Sequence, residues 1–147
     1  MKKLTVVLTV LIMMSTKALA ACIGYIDYQK IQENYPFAQA AVKEVDAQAL
    51  ALQQYMIDKE KQYKALDTPL KKQNFEEMTA REFKAKEDAL MKLRTAKEEQ
   101  VYTKIQAAAK QVLVEQKLDA IIDFRVIFVG GVDISDLVIN KLKTGKF

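Results

Sequence analysis

The longest helical signal in this chain is a stretch, residues 70–116, that contains neither glycine nor proline. It is rich in Ala, Lys, Glu, Gln and Leu, which favour helix over turn-rich β structure. At about 1.5 Å per residue, a helix of about 45 residues is roughly 65–70 Å long. That length exceeds the width of one compact globule of 147 residues. Part of this helix must therefore project from the folded body.

A second helical pattern precedes it and predicts a partner helix. The apolar residues recur at three- and four-residue spacing, which is typical of a coiled-coil seam, and Lys59 is the one polar interruption. The pattern stops at Asp67, where Thr68 and Pro69 provide an N-cap and a first position for the next helix. We therefore expect an antiparallel hairpin with its tip at this point. The predicted seam consists of Val42, Val45, Ala49, Leu52, Met56, Tyr63 and Leu66, facing a less regular row of Phe75, Met78, Phe83, Leu90, Leu93, Val101, Ile105, Ala108 and Val112.

Short β-rich runs flank the two helices. Residues 23–28 predict a strand, followed by one helical turn over residues 29–33 and a long helix that starts at Pro36. Residues 118–124 and 126–129 predict two adjacent strands, and Asp133 is suited to cap a last helix over residues 134–143. We assign residues 21–36 and 117–147 to a body and residues 37–116 to a helical arm.

Three short strands bury little apolar area and leave open sheet edges, so a monomeric body is undersized. Association of several subunits would close those edges. The predicted fold class is mainly α with a small β body, in which a long antiparallel coiled-coil hairpin extends from a short-stranded β-barrel formed on oligomerisation.

The first twenty residues have the order of an export signal. Lys2 and Lys3 precede an apolar run, residues 4–14, that is too short to span a bilayer, and Ala18-Leu19-Ala20 predicts cleavage before Ala21. Residues 19–22 also resemble a lipobox, in which Cys22 would carry a lipid and hold the protein at a membrane surface. Lys17 and the strand at Ile23 weigh against that alternative. We expect export to the periplasm, with a Cys22-anchored lipoprotein as the alternative.

Charge and residue types exclude several functions. Removal of residues 1–20 takes away three lysines and no acid, which leaves 20 basic and 19 acidic side chains and a net charge of +1. Nucleic-acid binding requires a concentrated basic face, so we expect none. The chain has no histidine and one cysteine, and it lacks a phosphate loop and a metal-binding cysteine pattern. We therefore predict no enzymatic activity, no cofactor and no metal.

The order of elements resembles the Skp/OmpH family of periplasmic chaperones. The resemblance rests on Ile23-Gly-Tyr-Ile-Asp-Tyr-Gln-Lys-Ile31 after a leader, and on Leu118-Asp-Ala-Ile-Ile-Asp123 after the long helices. It implies a soluble homotrimer with a small β-barrel body and three helical arms around a cavity. It also implies an ATP-independent holdase that binds unfolded outer-membrane proteins. The strongly basic character of that family's best-known member is missing here, since the mature net charge is only +1.

Two groups of arm residues are candidates for contact with such clients. The first is basic and surrounds the predicted tip, and the second is apolar. Each has an ordinary alternative, which is a solvated tip for the lysines and seam packing for the apolar residues; for Met56 and Tyr63 we expect seam packing. The alternative function is a structural coiled-coil envelope protein or a lipid-anchored tether. The candidates are Lys61, Lys64, Lys71 and Lys72, together with Phe75, Met78 and Phe83.

Overall fold

The structure is a computed structural model that describes residues 21–145 and residue 147. The predicted export signal lies outside the described residues. The chain is mainly helical with one small sheet. Its elements are β1 (Ile23–Ile26), α1 (Tyr28–Asn34), α2 (Pro36–Lys64), α3 (Pro69–Glu115), β2 (Ala120–Asp123), a 3-10 turn (Phe124–Val126), β3 (Val132–Asp133) and α4 (Ser135–Thr144).

Local sequence signals set the ends of the helices. The Asp27 carboxylate accepts a hydrogen bond from the Lys30 N–H at 3.0 Å and caps α1. Pro36 is the first residue of α2, where its missing N–H costs nothing. The Thr68 hydroxyl accepts a bond from the Lys71 N–H and caps α3. These helix ends confirm the predicted turn between the two long helices.

The two long helices lie side by side and run antiparallel. The Lys97 ammonium of α3 contacts the Glu44 carboxylate of α2 at 2.6 Å, close to the body. Nearer the tip, the Tyr63 and Phe75 rings lie 6.3 Å apart. With 47 residues, α3 is about 70 Å long, so its N-terminal part, which leads from the tip, projects well beyond the body.

The sheet is parallel, with strand order β2-β1-β3. In the β1–β2 pair Gly24 lies opposite Ile121, and Tyr25 lies opposite Ile122. Alternate residues of a strand point to opposite faces, and Ile121 packs on the core. The outer face of the sheet therefore carries Ile23, Tyr25 and Ile122. We call it the outer sheet face.

The core lies between the sheet, the short helices and the base of the arm. Ile31 from α1, Leu118 before β2 and Val138 from α4 are buried against residues at the start of α2 and the end of α3. The arm thus contributes its base to the core, and only its distal part is free of the body. The contributing arm residues are Ala38, Ala41, Val101, Ile105, Ala108 and Val112.

The prediction of a strand at residues 126–129 is wrong. Residues 124–126 form a 3-10 turn because the Asp123 carboxylate accepts a hydrogen bond from the Arg125 N–H and also pairs with the Arg125 guanidinium. The third strand is instead Val132–Asp133, and β1 lies between β2 and β3. Both edges of β1 are therefore occupied within the chain. Residues 126–129 are left outside the sheet, and Phe128 is fully exposed.

The predicted seam of α2 is correct in part. Val45, Leu52, Tyr63 and Leu66 are partly buried, as expected. The predicted members Val42, Ala49 and Met56 are exposed, whereas Tyr55 and Lys59 are partly buried instead. The physical reason is that both side chains have long apolar parts that pack while their polar ends reach a partner on α3.

Candidate functional site

The candidate lysines do surround the tip, but most of them are paired with nearby carboxylates. The ammonium groups of Lys64 and Lys71 lie 2.6 Å and 2.9 Å from Glu60 and Asp67. Lys61 contacts Asp58 at 3.7 Å. The Lys72 ammonium lies 5.4 Å from the centre of the Tyr63 ring. The tip is thus a set of exposed ion pairs, and such pairs attract a distant charge weakly.

Two of the three apolar candidates lie together near the tip. Phe75 and Phe83 line one open groove of about 380 Å³ between the helices. Met78 is exposed but lines a different groove, beside Arg81. The structure therefore brings Phe75 and Phe83 together and separates Met78 from them. We call the groove lined by Met56, Tyr63, Phe75, Thr79, Ala80 and Phe83 the tip groove.

A polar cluster in the seam was missed by the sequence analysis. The Tyr55 hydroxyl donates to the Glu82 carboxylate at 2.5 Å, and the Lys59 ammonium lies 2.8 Å from the same carboxylate. The Lys59 side chain is only 16% exposed, and its ammonium lies 5.2 Å and 5.3 Å from the centres of the Tyr55 and Phe75 rings. The sequence signal was Lys59 itself, the one polar residue in the apolar repeat. This cluster ties α2 to α3 across the seam.

The cluster should make the arm sensitive to acid. The hydrogen bond from Lys59, and then that from Tyr55, hold the pKa of Glu82 below its ordinary value of 4.5. A lowered carboxyl pKa stabilises the folded state above the unfolded-state pKa, and that contribution is lost as the pH falls through the folded-state pKa. Glu82→Gln should therefore lower the urea midpoint at pH 7 and have a smaller effect at pH 3. Glu99→Gln, at an exposed position, is the matched control. An E82Q effect that stays equal at both pH values would contradict this role.

A longer groove lies between the tip groove and the body. It encloses about 420 Å³ and is lined by the exposed Val42 and Ala49 on α2 and by Met91 on α3. A separate groove, lined by Ala51 and Ala89, shares only Leu52 and Leu90 with it and so lies on the other side of the seam. Met56 and Tyr63 follow Ala49 at seven-residue intervals, which places the tip groove on the same side as Val42. We call the lower groove, whose apolar floor is Val42, Val45, Ala49, Leu52, Leu90 and Met91, the arm groove.

The body presents a second exposed apolar surface. Beyond the outer sheet face, Val126 and Val129 are 73% and 86% exposed, and Phe128 has no shielding from solvent. Large apolar side chains exposed together in this way usually mark a contact site. We call residues 124–129 the apolar loop.

Cys22 is exposed, but its backbone is held in the fold. The Cys22 N–H donates to the Asp119 carboxylate at 2.7 Å, and the Asp119 N–H donates to the Cys22 carbonyl at 2.9 Å. These bonds continue the pairing of β1 with β2. A lipid on Cys22 would therefore be attached directly at the edge of the body.

The described part of the chain contains no group of three or more His, Cys, Asp or Glu residues that could hold a metal ion. Within the same residues, no helix has both the length and the apolar content needed to cross a bilayer.

Comparison with known proteins identifies the family. No curated protein matches the chain. A crystal structure of an OmpH-like protein from Caulobacter crescentus is 15% identical to it, covers 88% of each chain and superposes with a TM-score of 0.44. The family model described as outer membrane protein (OmpH-like) matches residues 22–142, which is most of the chain. The chain therefore belongs to the OmpH-like outer membrane protein family.

Proposed function

We propose that this protein is an ATP-independent periplasmic holdase that keeps unfolded outer-membrane proteins soluble. The observation that carries the proposal is the pair of apolar grooves open to solvent on one side of the projecting arm. A protein that shields apolar segments needs such surfaces, and Met and aromatic side chains suit varied partners because they adapt or offer large contact areas. The proposed activity is binding of the client alone, without catalysis, cofactor or metal.

The proposed assembly is a homotrimer. Each chain carries the partly exposed outer sheet face and the exposed apolar loop on the same small body, and a three-stranded sheet leaves edges that favour association. Three bodies would join their strands into a short barrel and bury these surfaces. The three arms, each an antiparallel coiled-coil pair, would then extend from the body around a shared cavity.

Export follows from the leader, residues 1–20, with cleavage before Ala21. The alternative is a structural envelope protein or a tether anchored by a lipid on Cys22. The exposed Cys22 thiol favours the lipid-anchored tether. The hydrogen bonds that hold the Cys22 backbone weigh against the tether, because they leave no flexible linker between a lipid and the body. Mass spectrometry of the protein from cells separates the two: a mature chain starting at Ala21 supports the holdase, and a diacylglyceryl group on Cys22 supports the tether.

The direct test is an aggregation assay. An unfolded β-barrel membrane protein is diluted from urea into buffer with the mature chain, without nucleotide, and light scattering is recorded. We expect scattering to be suppressed near one assembled protein per client, and addition of ATP to change nothing. Scattering equal to that in buffer alone would overturn the proposal.

The tip lysines provide a further prediction. Changing Lys61, Lys64, Lys71 and Lys72 together to Gln should leave the assembly intact and weaken capture of an acidic unfolded client by roughly two- to fivefold. The effect should be modest because exposed charge pairs contribute less than about 1 kcal/mol each. Added salt should weaken wild-type capture more than variant capture.

The matched control for the tip variant is a second fourfold lysine-to-glutamine change at exposed positions away from the tip. Unchanged affinity and an unchanged salt slope in the tip variant would show that its lysines are only a solvated surface. The control positions are Lys43, Lys84, Lys92 and Lys117.

A further inference from the structure

We propose that the arm groove selects apolar client segments that carry basic residues, and so prefers a different kind of segment from the lysine-rich tip. The inference rests on the proposed function and deepens it by naming the chemistry of the bound segment. It depends on how charges are distributed on the walls of the arm groove, given an apolar floor.

The two cationic side chains on these walls already form ion pairs within the arm. The Lys97 ammonium contacts Glu44 at 2.6 Å. The Arg94 guanidinium pairs with Glu98, one turn further along the same helix, at 3.0 Å. Neither cation is free to attract an acidic segment. Electrostatic capture of acids by the arm groove would require breaking one of these pairs.

The carboxylates on the walls are available. Asp46 lines the arm groove from α2, and Glu87 lines it from α3. Both residues are exposed, and neither forms an ion pair with any residue that the structure describes. The arm groove thus has one free carboxylate on each wall above an apolar floor.

This arrangement is complementary to one class of segment. Apolar side chains would cover Val42, Ala49 and Met91, while a Lys or Arg on the same segment would reach a wall carboxylate. A Glu or Asp in that place would meet like charge, which disfavours the wrong partner. Lysine and arginine have apolar stems that can lie along the floor while the charged end reaches the wall.

Two other carboxylates of the arm, which contact the opposite helix, provide an internal comparison. The Glu82 carboxylate accepts a hydrogen bond from Tyr55 and pairs with Lys59, and the Glu44 carboxylate pairs with Lys97. All of these contacts are between α2 and α3. These two carboxylates join α2 to α3, whereas Asp46 and Glu87 line the arm groove and form no ion pair within the described residues.

The test uses the assembled mature protein and two fluorescent peptides. The peptides share one apolar core of alternating Val and Leu, and they differ only in two flanking lysines or two flanking glutamates. Fluorescence anisotropy gives each Kd. We expect the lysine peptide to bind roughly five- to tenfold more tightly, which is the size expected for two exposed ion pairs. Higher salt should reduce this preference.

The decisive variant is Asp46→Asn with Glu87→Gln. This double variant should bring the two affinities to within about twofold of each other, mainly because it weakens binding of the lysine peptide. The matched control, Asp88→Asn with Glu99→Gln, makes the same change in net charge at exposed positions and should keep the preference. Val42→Ser with Met91→Ser should weaken the binding of both peptides, whereas Leu50→Ser should leave the binding of both unchanged.

Equal binding of both peptides to the wild-type protein would overturn the inference. A preference for the lysine peptide that survives in D46N/E87Q would also overturn it. A change in the assembly mass of D46N/E87Q would overturn it too, because the arm groove would then be an interface between copies of the chain. The aggregation assay is run in parallel on the wild type and on D46N/E87Q. If wild-type protein suppresses aggregation but shows no peptide preference, this inference alone fails; if it does not suppress aggregation, the proposed function fails.

Discussion

Replacing Phe128 with Asp is expected to convert the assembled protein into folded monomers. Phe128 is fully exposed and contributes nothing to the core of its own chain, so the substitution should leave the helical signal unchanged. In the assembly it would place an unpaired charge in a buried apolar contact. Loss of a central apolar contact of this kind costs about 2–4 kcal/mol, or roughly 30- to 1,000-fold in affinity. Light scattering at micromolar concentration reports the mass.

Two further variants make the Phe128 test specific. Leu50→Asp places the same charge at an exposed arm position and should leave the mass unchanged. Ile122→Asp changes the outer sheet face and should also dissociate the assembly, because Ile122 lies beside Tyr25 on that face. If F128D and wild-type protein have the same mass, the apolar loop is not an assembly contact.

The second large effect is expected at the base of the arm. Ile105 is 2% exposed and packs among α1, α2 and α4, although the sequence places it within the arm. Ile105→Ala should destabilise the protein by about 2–4 kcal/mol, since the change removes three carbons and leaves a cavity. Urea unfolding followed by circular dichroism measures this loss.

Leu50→Ala is the matched control for Ile105→Ala, since it removes a similar volume from an exposed helical position and should cost less than about 0.5 kcal/mol. Equal small effects of the two substitutions would mean that the base of the arm is not part of the core. The body and the arm would then have to be treated as separate structural units.

The starts of the two long helices could be predicted from the sequence because they depend on local chemistry. Pro36, Thr68 and Pro69 each act within a few residues, through a cap or a missing N–H, and α2 and α3 start where these signals place them. The first short helix starts at Tyr28, one residue before the predicted helical turn, because the Asp27 carboxylate caps it. The first two strands were also predictable, since β1 and β2 are rich in isoleucine and β1 contains a tyrosine.

The third strand was not predictable, because strand pairing depends on which edges are free. The apolar loop has high β propensity, but the Asp123–Arg125 contact turns the chain away and β3 takes the remaining edge of β1. Residue type alone does not report such competition between distant segments.

The seam was predicted in part for a related reason. An apolar repeat identifies the helical face that packs, but it treats Lys59 as an interruption and Val42 as a member. The structure buries the stem of Lys59 because its ammonium pairs with Glu82 on the other helix, and it leaves Val42 exposed on the floor of the arm groove. Both candidate grooves arise from the relative rotation of the two helices, which a repeat within one helix does not specify.

The most direct test of the central claim is the mass of the complex with a client. The mature protein is mixed with an unfolded β-barrel membrane protein, and the soluble complex is measured by size-exclusion chromatography with light scattering. The proposed function predicts a complex of three chains and one client, formed without nucleotide. A mixture in which the client aggregates alone while the chains keep their own mass would contradict it.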